Sequence, residues 1–264
     1  MIFRLCRFCL LLMLFSTLTC FAAEPKPGTI TGKWITKAHG PMTGGQVLLF
    51  NTAKGPAPAS SKFLRLPDAG VQIDEKGVFV AELPPGRYYL VMRKRANQDS
   101  AGPPEEGDPQ YYARLKNGDP KTFTVKPGKK TNIGTITEAT PFKREKTAAR
   151  AGMTGIEGTV TDDQGKPLAG LRVFVYQSAG MLGMPRYASD QTGEDGRYFL
   201  SLTAGGTYFL KARTHYGGGR PDEGEYMGSY GKAGEPGSVV VEKGQIVKGI
   251  DIRTTRFSSK RKGE

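Results

Sequence analysis

Cysteine is absent beyond residue 20: the 264-residue chain has three, Cys6, Cys9 and Cys20. Past that point neither a disulfide framework nor a thiolate metal site can be built, so burial of a real core must hold the fold. Histidine is nearly as scarce, with only His39 and His215. A zinc peptidase centre takes two histidines and a carboxylate at close spacing. Here "KAHGPM" and "RTHYGG" each carry a lone histidine in a loop-like setting, and neither HExxH nor HxxE occurs. The G-x-S-x-G elbow of serine hydrolases is missing too; "MGSYG" around Ser229 has glycines at the wrong spacing. No apolar run reaches the roughly 20 residues that span a bilayer, and no stretch shows convincing helical periodicity. The sequence therefore offers no catalytic residue, no metal ligand set and no cofactor motif, and an enzyme is not expected.

What is present begins with an export signal. Arg4 and Arg7 precede the apolar run "FCLLLMLF" (8–15), and "STLTCFAAEPKPG" follows with small residues and a polar, proline-bearing start. Residues 1–23 read as a signal peptide cleaved after Ala22 or Ala23. A lipid anchor on Cys20 is the alternative, although Thr17, Leu18 and Thr19 fit a lipobox poorly. The protein is expected to be exported (periplasmic, outer-membrane-associated or extracellular) with no transmembrane segment in the mature chain. Its formal charge of +13 is unevenly spread. Residues 24–137 hold 17 basic and 10 acidic side chains, whereas residues 154–257 hold 12 of each. A basic first half favours an acidic partner: an envelope protein, an acidic polysaccharide, lipopolysaccharide or a membrane surface. Nucleic acid is not expected for an exported chain.

The sequence repeats itself once. "ITGKWITKAHGPMTGGQVLLF" (30–50) matches "IEGTVTDDQGKPLAGLRVFVY" (156–176), placing Gly32 opposite Gly158 and Val47 opposite Val173. "DEKGVFVAELPPGRYYLVMR" (74–93) matches "GEDGRYFLSLTAGGTYFLKA" (193–212), and "VKPGKKTNIGTI" (125–136) matches "VEKGQIVKGIDI" (241–252) without a gap. The offset drifts between these blocks, so insertions fall in loops. Within each copy, short β-type runs are broken by Gly, Pro, Asn and Asp. In "RYYLVMR", Tyr88, Leu90 and Met92 share one face, and Tyr89, Val91 and Arg93 share the other. In the second copy Tyr208, Leu210 and Ala212 oppose Phe209, Lys211 and Arg213. The charged members mark the outer face, which sends Tyr88 and Tyr208 into the core. "DEKG", "GEDG" and "PPG" are explicit turns. The pattern predicts an all-β chain of two antiparallel sandwiches of about seven strands each. Residues 24–137 form the first and 154–257 the second, with a basic linker at 138–153 and a basic tail at 258–264.

"GTVTDDQGKPLAGLRVFVY", "DGRYFLSLTAGGTYFLKA" and "VEKGQIVKGIDI" together resemble the carboxypeptidase regulatory-like domain, which has a transthyretin-like sandwich. The resemblance covers 154–254; residues 28–137 match more loosely, with "KAHGPMTGGQ" departing from the family's G-x-P-L-x-G turn. It implies an appended structural or binding module that carries no zinc site of its own. Family modules recur in exported and outer-membrane bacterial proteins, but fold does not fix function. Transthyretin-like hydroxyisourate hydrolases end in a "YRGS"-type motif that "TTRFSSKRKGE" does not resemble. Pilin-type sandwiches form Lys–Asn isopeptide bonds; Lys33 and Asn132 have suggestive placement, but "RYYLVMR" offers no catalysing acid.

Recognition is the remaining chemistry. Tyr111 and Tyr112 fall in a long loop, and Tyr216, Tyr226 and Tyr230 lie among glycines in "HYGGGRPDEGEYMGSY". Tyr89, Leu48, Phe174 and Phe209 fall on outward strand positions. Exposed aromatics stack on sugar rings or anchor protein partners, or they pack beneath their own loops or between the two copies. Arg93, Lys94 and Arg95 add a cationic run that is either a contact for acidic ligands or solvated charge. "DQTGEDG" and "PDEGE" offer oxygen ligands to calcium, but without EF-hand spacing, and Asp-Gly turns account for the first. Three readings follow: a structural or binding module of the envelope, a polysaccharide-binding protein using the aromatic loops, or an accessory subunit of an envelope enzyme.

Overall fold

The computed structural model describes residues 25–59, 63–95, 103–143, 152–216, 220–232 and 234–259. The expected signal peptide with Cys20, residues 144–151 of the linker and residues 260–264 of the tail lie outside the described residues. Among the described residues the regular structure is strand, apart from one 3-10 turn at Thr52–Lys54. No helix among them is long and apolar enough to cross a membrane.

Each copy is a two-sheet sandwich with its own core. In the first, Gly28–Thr36 lies between Val78–Leu83 and Lys130–Ile136. The facing sheet runs Thr140–Pro141, Pro109–Tyr112, Gly86–Arg93, Gln46–Asn51, Ala69–Gln72, with Thr122–Val125 also paired to Gly86–Arg93. Alternating side chains from both sheets (Ile30, Trp34, Val47, Phe79, Leu90 and Met92 among them) close the core. The second copy repeats the plan around Ile156, Val160, Val173, Leu200, Leu210 and Ile252. Its small sheet centres on Thr154–Thr161, and its large sheet on Gly206–Arg213 and Arg172–Tyr176.

The matched tyrosines do point inward. Tyr88 and Tyr208 are buried, and each hydroxyl donates to the carbonyl four residues upstream: Tyr88 to Pro84 at 2.9 Å and Tyr208 to Ala204 at 2.8 Å. One phenol thus pins the turn that precedes its own strand in both copies. Tyr88→Phe and Tyr208→Phe are each predicted to cost about 1 kcal/mol in urea unfolding by losing that hydrogen bond while keeping the ring. A change in either variant of less than about 0.3 kcal/mol would refute the pin. The Asp turns are likewise self-contained. Asp74 Oδ1 accepts from the backbone N–H of Lys76 and Val78, and Asp162 Oδ1 from those of Gln164 and Lys166.

The sandwiches are not wholly antiparallel. In each copy the first strand runs parallel to a late one: Gly28–Thr36 to Lys130–Ile136, and Thr154–Thr161 to Ile246–Val247 and Ile252–Arg253. The copies are also joined. Leu64–Arg65 of the first adds an edge to the second copy's large sheet by pairing with Tyr187–Ala188. Residues 138–143, at the start of the expected linker, contribute to the first sandwich. The indole Nε1 of Trp34 donates to Glu138 O at 2.9 Å, Thr140–Pro141 pairs with Pro109–Gln110, and Phe142 is buried.

Candidate functional site

A groove of 870 Å³ on the first sandwich is lined by Tyr111, Tyr112, Arg114, Lys116, Glu138 and Lys143 among others. Strand pairing sets how the two tyrosines meet it. Tyr111 pairs with Met92 and Tyr112 with Val91, so they leave the strand on opposite faces. Tyr111 packs its ring against the first core. Burial, and then the nearby Glu138 charge, push its hydroxyl above the ordinary tyrosine range. Tyr112 lies on the other face with the Arg114 guanidinium 5.9 Å from its ring centroid. Arg114, Lys116 and Lys143 are exposed, as is Glu138, the one acid among these residues. The Arg114 loop is held by its own guanidinium, which donates to Gly118 O at 2.8 Å.

The other expected contacts are differently placed. Tyr216 is half-buried with its ring edge-on to Phe174 at 5.5 Å, and it shares a small cavity with Arg93, Leu64 and Arg65. Burial raises its hydroxyl above the ordinary range, opposed by the charges of Arg93 and Arg172. Arg93 is held below the ordinary guanidinium range, first by burial and then by Arg95 beside it. Arg95 reaches the carbonyl of Pro103, and Lys94 is half-buried. Tyr226 and Tyr230 pack on the second core, with the Arg256 guanidinium 4.9 Å from the Tyr226 ring centroid. The structure therefore brings Tyr111 and Tyr112 to the groove and takes Tyr216 and Arg93 into the join between the copies.

That join absorbs residues that the alternation placed on the outer faces. Phe174 is completely buried, in a cluster with Leu66, Tyr176, Met181 and Ala188, against which Phe209 and Tyr216 pack. Leu48 and Tyr89 are half-buried. Arg65 was not singled out by any local pattern, yet it anchors the join. Its side chain is 3 % exposed and bonds Asp68 Oδ2 at 3.0 Å, Asn51 O at 2.7 Å and Gly55 O at 2.9 Å, while its backbone pairs with Tyr187. Arg186 donates to Lys54 O at 2.8 Å across the same join.

Two further expectations are corrected. Arg213, taken as a marker of the solvent face, is buried. Its Nε and terminal amine donate to the two oxygens of Glu225 at 2.8 and 2.7 Å, because Tyr226–Ser229 pairs with Gly206–Arg213 and sets Glu225 diagonally across from Arg213. His215 is not alone in its loop: its Nδ1 lies 3.0 Å from Asp222 and 3.9 Å from Glu225. The three side chains gather their ligand atoms within 4.8 Å. Glu225, however, already accepts from Arg213 twice and from the backbone N–H of His215 and Asp222. Its lone pairs are used, so the cluster is an ion-pair lock rather than a metal site. Lys33 and Asn132 face Thr135 and Thr31 across the parallel pair, not one another. Asn132 Oδ1 accepts from Gly134 N, and both side chains are exposed, which gives no setting for an isopeptide bond.

No family model and no curated protein matches the chain. Among solved structures, it is similar to the Bacillus anthracis TIE protein at 15% identity, covering 88% of this chain and 34% of that one, TM-score 0.27. It is similar to a streptococcal ancillary pilin at 13% identity, covering 88% and 62%, TM-score 0.25. It is also similar to BcpA, the major pilin subunit of Bacillus cereus, at 10% identity, covering 88% and 100%, TM-score 0.28. The chain thus spans about a third and about three fifths of the first two proteins. The fold rests on the strand order and cores described above, not on these likenesses.

Proposed function

We propose that the protein is a non-enzymatic exported module of the cell envelope, and that its first sandwich binds an acidic polysaccharide in the groove beside Tyr111 and Tyr112. The resemblance to carboxypeptidase regulatory-like modules supports an appended binding role. In this reading the chain comprises two sandwiches, the first at 24–137 with 138–143 added to its sheet and the second at 154–257. The observation that carries the proposal is that Tyr112, on the face away from the core, and the edge of Tyr111 line one open groove with Arg114, Lys116 and Lys143. An aromatic ring covers the apolar face of a sugar, and the cations meet its carboxylates or sulfates. The groove volume falls in the range of roughly 300–1,000 Å³ typical of ligand sites. Glu138 opposes an anion on its own side and so gives the groove a polarity.

The test is titration of the protein with a polyuronic acid and with a neutral glucan of similar length. Binding is expected for the first alone, to weaken as salt rises from about 0.05 to about 0.5 M. Tyr112→Ala is expected to lose about tenfold in affinity without a change in unfolding midpoint. Equal affinity for the neutral chain, or an unaffected Tyr112→Ala variant, would refute the assignment.

A further inference from the structure

In each sandwich the first strand lies beside a strand near the other end of the copy and points the same way, with the two-residue strands Thr140–Pro141 and Thr255–Arg256 following on the facing sheets. In the first, Thr29, Ile30, Thr31, Lys33 and Trp34 stand against Lys130, Thr131, Asn132, Thr135 and Ile136, and Thr29 N donates to Lys129 O at 2.8 Å. In the second, Gly155 and Ile156 stand against Ile246 and Val247, and Val160 and Thr161 against Ile252 and Arg253. Bonds between these patches complete the seam: Ile250 N to Glu157 O at 3.1 Å and Thr254 N to Thr161 O at 2.8 Å.

We propose that the tandem is a load-bearing element, built to transmit tension along the chain. This goes beyond the proposed binding and does not depend on it. When entering and leaving strands are parallel neighbours, the chain enters at one end of the pair and leaves at the other. Tension then slides the strands past each other along their axes, and the bonds between them must yield together. Were the two strands antiparallel, both attachment points would fall at one end, and the bonds would open in sequence. The difference lies in the barrier to forced unfolding, which is governed by the unfolding rate under load rather than by equilibrium stability. Side chains reinforce the first seam. Trp34, at its far end, is fully buried and tied to Glu138 just past Lys130–Ile136. The join between the copies rests on the two-residue pairing of Leu64–Arg65 with Tyr187–Ala188 and is expected to part before either sandwich.

The same seam can be loaded two ways in one full-length protein. Lys26, Lys37 and Thr137 are exposed, and handles can be attached through cysteines there once the three leader cysteines are serine. Pulling between Lys26→Cys and Thr137→Cys shears the parallel pair. Pulling between Lys37→Cys and Thr137→Cys grips both strands at the same end and peels them. In single-molecule pulling at one loading rate, the shear geometry is expected to need at least about twice the unfolding force of the peeling geometry. The two variants are expected to share one urea midpoint. Equal forces, or a stronger peeling geometry, would overturn the proposal.

Discussion

Replacing Glu225 with glutamine is expected to destabilise the protein by about 3–5 kcal/mol, because it removes the charge that compensates a buried guanidinium. The Glu225 side chain is fully buried and that of Arg213 is 7 % exposed. Their two-point contact at 2.7 and 2.8 Å compensates the cost of taking both charges out of water. Removing the carboxylate takes away the charge that compensates the buried guanidinium. Removing both with Arg213→Met and Glu225→Leu is expected to recover most of the loss, since an apolar pair of similar volume replaces a buried ion pair at little cost. Recovery will be incomplete, because Glu225 also accepts from the backbone of His215 and Asp222. Urea unfolding of the two variants measures all of this; a Glu225→Gln variant within about 1 kcal/mol of the parent would contradict the lock.

The same pair sets a pH dependence. Burial by itself raises the Glu225 carboxyl, but the hydrogen bonds and charge of Arg213 outweigh it and hold the group below its ordinary value of 4.5. A carboxyl depressed in the folded state contributes stability above its unfolded pKa and loses it as pH falls through the folded one. Stability from this pair is therefore constant through neutral pH and declines below about pH 4.5. In Glu225→Gln that part of the acid sensitivity disappears.

Gly158→Ala carries the second large effect. A methyl group at Gly158 would sit 2.0 Å from the carbonyl oxygen of Ile250 and 2.5 Å from its carbon. Those are backbone atoms fixed on both sides, by Ile250 N bonded to Glu157 O and by the Tyr198 hydroxyl bonded to Ile250 O at 2.6 Å. The seam must open to admit the methyl group, at an expected cost of about 3 kcal/mol or more. The matching Gly32 gives the control. There the nearest atom, at 2.7 Å, is the Ile133 Cγ1, a side-chain carbon, and the nearest backbone atom, the Gly134 oxygen, is at 3.0 Å rather than 2.0 Å. Gly32→Ala is expected to cost about 1–2 kcal/mol. Thermal unfolding of the pair checks the order, and equal losses would contradict the distinction.

These residues also mark how far the sequence could be read. Alternation around Tyr88 and Tyr208 gave the inward face, because period-two patterning survives wherever one face of a strand is buried. The same alternation misplaced Arg213 and Phe174, because it reports the side of the sheet and not what later covers that side. Glu225 lies in a glycine-rich segment without periodicity, so its return onto Arg213 leaves no local trace. The join between the copies depends on strands of two residues, Leu64–Arg65 and Tyr187–Ala188, too short for any pattern to show. Tyr111 and Tyr112 stood out by composition alone. Their strand, and the approach of Glu138–Lys143 that walls the groove, depend on pairing across some 30 residues, as between Thr140 and Gln110.

The binding account is tested most directly by titrating an isotopically labelled sample with a short oligouronide and following backbone and side-chain resonances. It predicts shifts that saturate and concentrate at Tyr111, Tyr112, Arg114, Lys116 and Lys143, with the second sandwich unmoved. Shifts centred on the second sandwich, or none at millimolar oligouronide, would contradict it.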